Sequence, residues 1–181
     1  MSDLFDDVTA DQDPFKKLAS KIPGFGGYIE RQNRRAADKI LRELIAEKYT
    51  ELWKKTTNLQ QDLASAGDLM HLDEIETAAV KLQTFTDKVA NASYGYSGFF
   101  DSEKINEEEL AKMYEFDTSM LDMVDGIDSA IENVLSSVGG DGMPAAVRHL
   151  VGLSRDVVDV FESRDAVITA LDDSEAETTE E

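Results

Sequence analysis

Apolar residues recur at intervals of three and four along one stretch of the chain, and this spacing is the strongest constraint on its fold. Between residues 113 and 138 the intervals are 3, 4, 4, 3, 4, 3 and 4, close to the seven-residue repeat of packed helices. Side chains three and four positions apart share one face of an α-helix, so the stretch predicts a helix with one buried face. That face consists of Met113, Phe116, Met120, Val124, Ile127, Ile131, Val134 and Val138.

The same kind of spacing predicts three further long helices. The first spans about residues 28 to 66, which contain no proline or glycine, and the second spans about residues 69 to 92. Gly67 suits the position just after a helix, the glycine-rich turn 139–142 ends the third helix, and Pro144 begins the fourth. No segment alternates polar and apolar residues as a strand does. We therefore expect an all-α fold, an antiparallel up-down four-helix bundle with long helices.

Composition divides the chain into four parts. Residues 1–13 form an acidic leader that we expect to be disordered, and residues 14–27 form a short N-terminal amphipathic helix with a glycine hinge. Residues 28–172 form the bundle, and residues 173–181 form a disordered acidic tail. The leader lacks the features of a secretory signal, and no apolar run is long enough to cross a membrane. Because the chain also has no cysteine, we expect a cytoplasmic protein.

Charge is distributed unevenly along the chain, whose formal net charge is −20. Residues 16–55 carry eleven Lys and Arg against five Asp and Glu, whereas residues 56–181 carry seven against 28. The basic segment either pairs with acidic helices of the same bundle or attracts an anionic partner such as lipid headgroups. The acidic remainder would repel a phosphate backbone, so we expect no nucleic acid partner.

The short amphipathic helix sets three lysines opposite apolar residues, as weak interfacial membrane anchors do. Two alternatives follow: the helix packs on its own bundle, or it makes weak contact with an anionic membrane surface. The residues that would make the membrane contact are Phe15, Lys16, Lys17, Leu18, Lys21 and Ile22.

An antiparallel path would bring three segments to the end of the bundle where the first long helix begins. These are the glycine hinge, the arginine-rich start of that helix and the aromatic loop between the second and third helices. Aromatic residues and arginine are enriched where proteins bind partners, although the aromatic side chains could instead close the end of the core. The opposite end is expected to offer only small polar turns. The candidate binding residues are Tyr28, Arg31, Arg34, Arg35, Tyr94, Tyr96, Phe99 and Phe100.

No arrangement of residues predicts catalysis or metal binding. A di-iron helical bundle needs two Glu-x-x-His motifs, whereas neither His71 nor His149 follows a glutamate by three positions. The glycine hinge lacks the preceding strand and the following lysine of a phosphate-binding loop. The sequence therefore gives no catalytic residue, metal site or cofactor site, and it favours a function that is not enzymatic without excluding an enzyme.

Two segments of the chain, Pro23–Arg42 and Ala92–Asp101, resemble parts of an uncharacterised family of bacterial all-helical proteins with no assigned activity. The resemblance implies a cytoplasmic helical protein and no residue roles.

Two functions stay open. One is a non-enzymatic interaction or assembly module, with a protein partner or self-association. The other is a small-molecule or metal-binding bundle with a pocket under residues 94–100. A buried polar cluster would favour the second function, and an exposed apolar stripe over a continuous apolar core would favour the first.

Overall fold

The computed structural model of the chain describes residues 14–22, 34–92 and 107–178, with side chains in 17–22, 37–92 and 110–167. These residues form five α-helices that pack against one another, which confirms the all-α class. No helix in the described ranges combines the length and the apolar content needed to cross a membrane. The helices are α1 (Pro14–Lys21), α2 (Arg34–Ala66), α3 (Leu72–Asn91), α4 (Glu107–Ser136) and α5 (Met143–Thr178).

The four long helices form a closed ring of contacts. Helix α2 packs against α3 and α4, α5 packs against the same two helices, and α1 lies against α4. The ring encloses a large apolar cluster, the main core, to which all four long helices contribute. Most apolar faces predicted from the spacing are buried in it, because burial of one face is what stabilises an amphipathic helix.

Aromatic contacts join the long helices at the middle of the main core. The rings of Tyr49 on α2 and Phe85 on α3 have centroids 4.3 Å apart. Phe85 also meets Phe161 of α5 edge to face, at 5.9 Å between centroids. The Tyr49 hydroxyl donates a hydrogen bond to the Met120 carbonyl of α4 at 2.7 Å. Burial raises the pKa of the Tyr49 hydroxyl, because the phenolate would lose its hydration.

Helix α1 contributes to a second apolar cluster, the α1 core. Leu18 and Ile22 are buried there, and Lys21 at its edge forms an ion pair with Asp122 of α4. The structure thus places this amphipathic helix on its own chain. The membrane contact stays a prediction, and it would require Leu18 and Ile22 to leave α4. Their buried neighbours in the α1 core are Ala37, Leu41, Leu110, Met113 and Tyr114.

Some helices begin or end at residues other than the predicted ones. Gly67 adopts φ +80° and, as predicted, follows the end of α2, where the Asp68 amide donates to the Leu63 carbonyl at 3.0 Å. The chain then makes a turn, so α3 begins at Leu72 and not near residue 69. Helix α5 continues to Thr178, into the segment that we expected to be a disordered tail.

Truncation of the buried face of α4 should destabilise the fold. Ile127 and Ile131 are both buried in the main core, so replacing either with alanine should lower the free energy of unfolding by about 2–5 kcal/mol. Leu135 is a matched control, because it lies on the same helix and is exposed; Leu135→Ala should cost less than about 0.5 kcal/mol. Urea denaturation of the three variants measures the difference. A loss below about 0.5 kcal/mol at both Ile127 and Ile131 would show that another face of α4 is buried.

Candidate functional site

Four charged side chains are buried where α2, α4 and α5 meet. Arg164 of α5 and Asp117 of α4 are each 1% exposed, and Asp38 and Arg42 of α2 are 3% and 8% exposed. Charged residues are rarely buried to this extent unless they are paired, because burial removes their hydration. We call these four residues the ionic cluster.

Arg164 joins three helices through this cluster. Its Nε donates to Asp117 Oδ1 at 2.8 Å, and its Nη2 donates to Asp38 Oδ1 at 3.0 Å and lies 3.5 Å from Asp117 Oδ2. Arg42 Nε donates to Asp38 Oδ2 at 2.7 Å. Both oxygens of each aspartate therefore face guanidinium donors. Two positive charges balance two negative ones, so the cluster as a whole is neutral.

Burial shifts the pKa of the Asp117 carboxyl more than the ion pair with Arg164 does. It raises the pKa of the Asp117 carboxyl above the usual 3.8, because the charged form loses hydration; Arg164 opposes this rise and Asp38 adds to it. The folded chain therefore retains a proton on Asp117 at pH values where the unfolded chain has lost it. The resulting contribution to stability is fully present below pH 3.8 and is lost as the pH rises through the folded pKa.

The ionic cluster lies at the boundary between the two apolar clusters. On α4, Asp117 is flanked by Met113 of the α1 core and Met120 of the main core. On α5, Arg164 follows Phe161 of the main core by one helical turn. The acceptor oxygens of the cluster are engaged by the arginines, so the cluster is built to hold three helices together. A substrate or metal would have to displace an arginine to reach these carboxylates.

The four residues of the ionic cluster occupy buried positions in the pattern of alternating three- and four-residue intervals. Because they are charged, the spacing of apolar residues alone does not predict their burial. On α4, Asp117 continues the regular spacing better than Phe116, which is half-buried. Serine and threonine at such positions are buried too, with their hydroxyls bonded to their own helix, as in Thr56 to Leu52 and Ser154 to Leu150. A charged residue at a core position of the repeat is therefore the signal in the sequence. The buried repeat is Asp38, Arg42, Ile45, Tyr49, Leu52, Thr56, Leu59 and Leu63 on α2 and Val147, Leu150, Ser154, Val157, Phe161 and Arg164 on α5.

The binding site predicted at the start of the first long helix falls almost entirely outside the described residues. For Arg34 and Arg35 the structure describes the backbone at the beginning of α2 and not the side chains. The site therefore stays a prediction. The residues outside the described ranges are Tyr28, Arg31, Tyr94, Tyr96, Phe99 and Phe100.

The two turns that were expected to be small and polar expose large apolar side chains. Leu69 and Met70, between α2 and α3, are 65% and 82% exposed. Leu135 and Val138, at the end of α4, are 55% and 41% exposed. Val138 was predicted on the buried face of a helix, but α4 ends at Ser136. We call Leu69, Met70, Leu135 and Val138 the turn surface.

Other features of the described residues offer little chemistry. No group of three or more His, Asp and Glu side chains in these ranges is arranged to hold a metal ion. A shallow, open depression of about 370 Å³ lies along α3, where its walls are exposed or half-buried side chains. It is lined by Asp73, Glu76, Thr77, Val80 and Lys81.

Removal of the central arginine should be strongly destabilising. Arg164→Met leaves two buried carboxylates without their shared counter-charge, so we expect a loss of about 3–5 kcal/mol in urea denaturation at pH 7. The loss should shrink as the pH is lowered, because the Asp117 carboxylate can then bind a proton, while Asp38 keeps Arg42 as its partner. Adding Asp117→Leu to Arg164→Met should recover part of the loss, since it removes one stranded charge.

The control for this variant is Arg155→Met, which removes an exposed arginine from the same helix. It should change the free energy of unfolding by less than about 0.5 kcal/mol. A cost below about 1 kcal/mol for Arg164→Met would show that the ionic cluster is not needed to hold the helices.

Two carboxyl groups should titrate in opposite directions from their usual values. The pKa of Asp117 should lie above 3.8 because of burial, and that of exposed Glu162 below 4.5, because Lys88 Nζ donates to its Oε1 at 2.7 Å. Carboxyl ¹³C chemical shifts measured against pH report both groups. Lys88→Met should raise the pKa of Glu162 and leave Asp117 unchanged. A pKa of Asp117 at or below 3.8 would show that the arginines outweigh burial.

Comparison of the chain with protein families, with curated proteins and with solved structures finds no match. The resemblance of two of its segments to bacterial all-helical proteins receives no support from these comparisons. The function of the chain therefore has to be inferred from its own geometry.

Proposed function

We propose that this chain is a non-enzymatic helical interaction or assembly module. The observation that carries the proposal is the turn surface, where four large apolar side chains are 41–82% exposed while charged side chains are buried in the ionic cluster. Apolar side chains that form a continuous exposed patch mark sites of contact with other proteins. Whether these four residues form one patch depends on the path of the helices.

The contacts support a four-helix bundle made of two antiparallel hairpins, α2 with α3 and α4 with α5, packed side by side so that neighbours α2 and α4 run in the same direction. Along α2 and α4, contacts advance in the same order, from Tyr49 with Met120 to Lys55 with Asp128. These two helices therefore run in the same direction, and α3 and α5, which follow them through short turns, run in the opposite one. Both turns then lie at one end of the bundle. Because packed helices are about 8–10 Å apart, the four apolar side chains would form one patch.

The ionic cluster is consistent with a role in structure and not in catalysis. Its carboxylates face arginine donors from two helices, and its charges sum to zero. The seven-residue repeat along α2, α4 and α5 is that of coiled-coil packing, and the polar residues within it fix the alignment of the helices. A cytoplasmic location belongs to the same proposal, since a chain without cysteine suits a reducing compartment.

A second candidate function is a small-molecule or metal-binding bundle with a pocket under residues 94–100. The presence of the ionic cluster favours it, because a buried polar cluster is what such a bundle requires. The balance of charge within the cluster argues against it, because a ligand would have to compete with Arg164 for Asp38 or Asp117.

Native mass spectrometry of the full chain, isolated at low salt from the cells that make it, separates the two functions. An interaction module should carry a second protein chain or a further copy of itself, at a mass above the 20.0 kDa of one chain. A ligand-binding bundle should instead appear as one chain with a stoichiometric small molecule or metal ion. A bare single chain at every concentration would contradict both functions.

A further inference from the structure

We infer that the turn surface binds a basic amphipathic helix of a protein partner. This inference rests on the proposed function, and it adds where the partner binds and what its chemistry is. Two independent properties of the surface lead to it, the exposure of its apolar side chains and the charge of the segments around them.

Three of the four apolar side chains lie in the turns outside the helices, and Leu135 lies in the last turn of α4, beside buried Val134. Helix α2 ends at Ala66, α3 begins at Leu72, and Leu69 and Met70 lie in the turn between them. At the other turn, Gly139 adopts φ +75° just after Val138. Methionine suits a surface that accommodates partner helices, because its side chain is unbranched and adapts its shape.

The segments that carry the turn surface contain no positive charge. Residues 58–76 include five acidic residues (Asp or Glu) and no Lys or Arg. Residues 129–145 include two acidic residues and no Lys or Arg. The lysines that pair with acids lie outside these segments: Lys55 of α2 pairs with Asp128 and is also attracted by Glu132, and Lys88 of α3 pairs with Glu162. The turn surface thus combines four exposed apolar side chains with acidic residues in both segments that carry them. Lysine and arginine on a partner would complement it, whereas a second copy of a chain with net charge −20 would be repelled.

The size of the surface indicates a helix. Its apolar residues come from two turns, which lie about 8–10 Å apart if they follow neighbouring helices, close to the width of one α-helix. A helix laid across the turns would place its apolar stripe on Leu69, Met70, Leu135 and Val138. Its flanking lysines or arginines would then reach the acids of both turn segments.

The first probe is a synthetic helical peptide of about 18 leucines and lysines, or five turns, with one apolar face. The protein is the full chain with ¹³C-labelled methionine methyl groups. The peptide should shift the methyl signal of exposed Met70 and leave those of buried Met113, Met120 and Met143 in place. Fluorescence anisotropy should show binding that weakens as salt is raised, and a peptide with glutamate in place of lysine should not bind.

Variants separate the apolar contribution from the ionic one. Leu69→Ser with Met70→Ser keeps the charge and should weaken peptide binding at least about tenfold, as removal of central contacts does. Val80→Ser is the matched control, because Val80 is an exposed apolar residue elsewhere on α3; it should leave binding unchanged. Circular dichroism checks that each variant keeps its helix content.

A second pair of variants tests whether the position of the acidic residues matters, because both double variants carry the same net charge. Asp68→Asn with Asp141→Asn neutralises one acid in each turn and should weaken binding several-fold and reduce its salt dependence. Asp87→Asn with Asp125→Asn removes two exposed acids from α3 and α4 and should have no such effect.

Three results would overturn the inference: equal binding of the glutamate peptide, equal loss with Val80→Ser, or unchanged binding by the double serine variant. A Met70 shift that follows protein concentration without peptide, together with a doubled mass, would make the occupant a second copy. If a native partner is kept by the double serine variant and lost by Arg34→Ala with Tyr96→Phe, the module function stands and this site is wrong.

Discussion

The contact on which the rest of this fold depends is that of Arg164 with two carboxylates from two other helices. Apolar contacts are non-directional, and a buried polar residue in a helix interface specifies the alignment of the helices more strictly. A guanidinium presents its donors in a fixed planar arrangement, and Arg164 satisfies Asp38 and Asp117 together in one alignment of α2, α4 and α5. The contribution of the cluster is therefore specificity more than stability, because apolar residues of similar size can be as stabilising as a buried ion pair.

The position of the cluster also explains how α1 belongs to the fold. The α1 core and the main core are separate apolar clusters, and the ionic cluster lies where they meet. A helix of eight residues is too short to be stable alone, so α1 depends on the apolar surface that α2 and α4 provide. The ionic cluster helps to align α2 and α4, together with the Tyr49 hydrogen bond to Met120 and the Lys55–Asp128 ion pair.

Much of the fold could be predicted from the spacing of apolar residues, because helical periodicity is a local property. The buried face of α4 is correct at Met113, Met120, Ile127, Ile131 and Val134. The partner of a buried charge is not local: Asp117 occupies a core position of the repeat, but Arg164 lies 47 residues away. The exposure of Met70 was not predicted, because the spacing of apolar residues predicts that this helix begins near residue 69. In the structure α3 begins at Leu72, so Met70 lies in the turn before it. The site predicted around Tyr28 and Tyr96 lies outside the described residues and stays untested.

The separation of the ionic cluster along the chain has a consequence for how the protein is made. Asp38 and Arg164 are 126 residues apart, so α2 and α4 are both synthesised before the arginine that joins them. Until then Asp117 has no buried counter-charge, and the favourable state of its carboxylate is a hydrated one. The nascent helices can therefore associate only loosely while translation continues. A chain that stopped before residue 164 would lack the arginine that pairs with both Asp38 and Asp117.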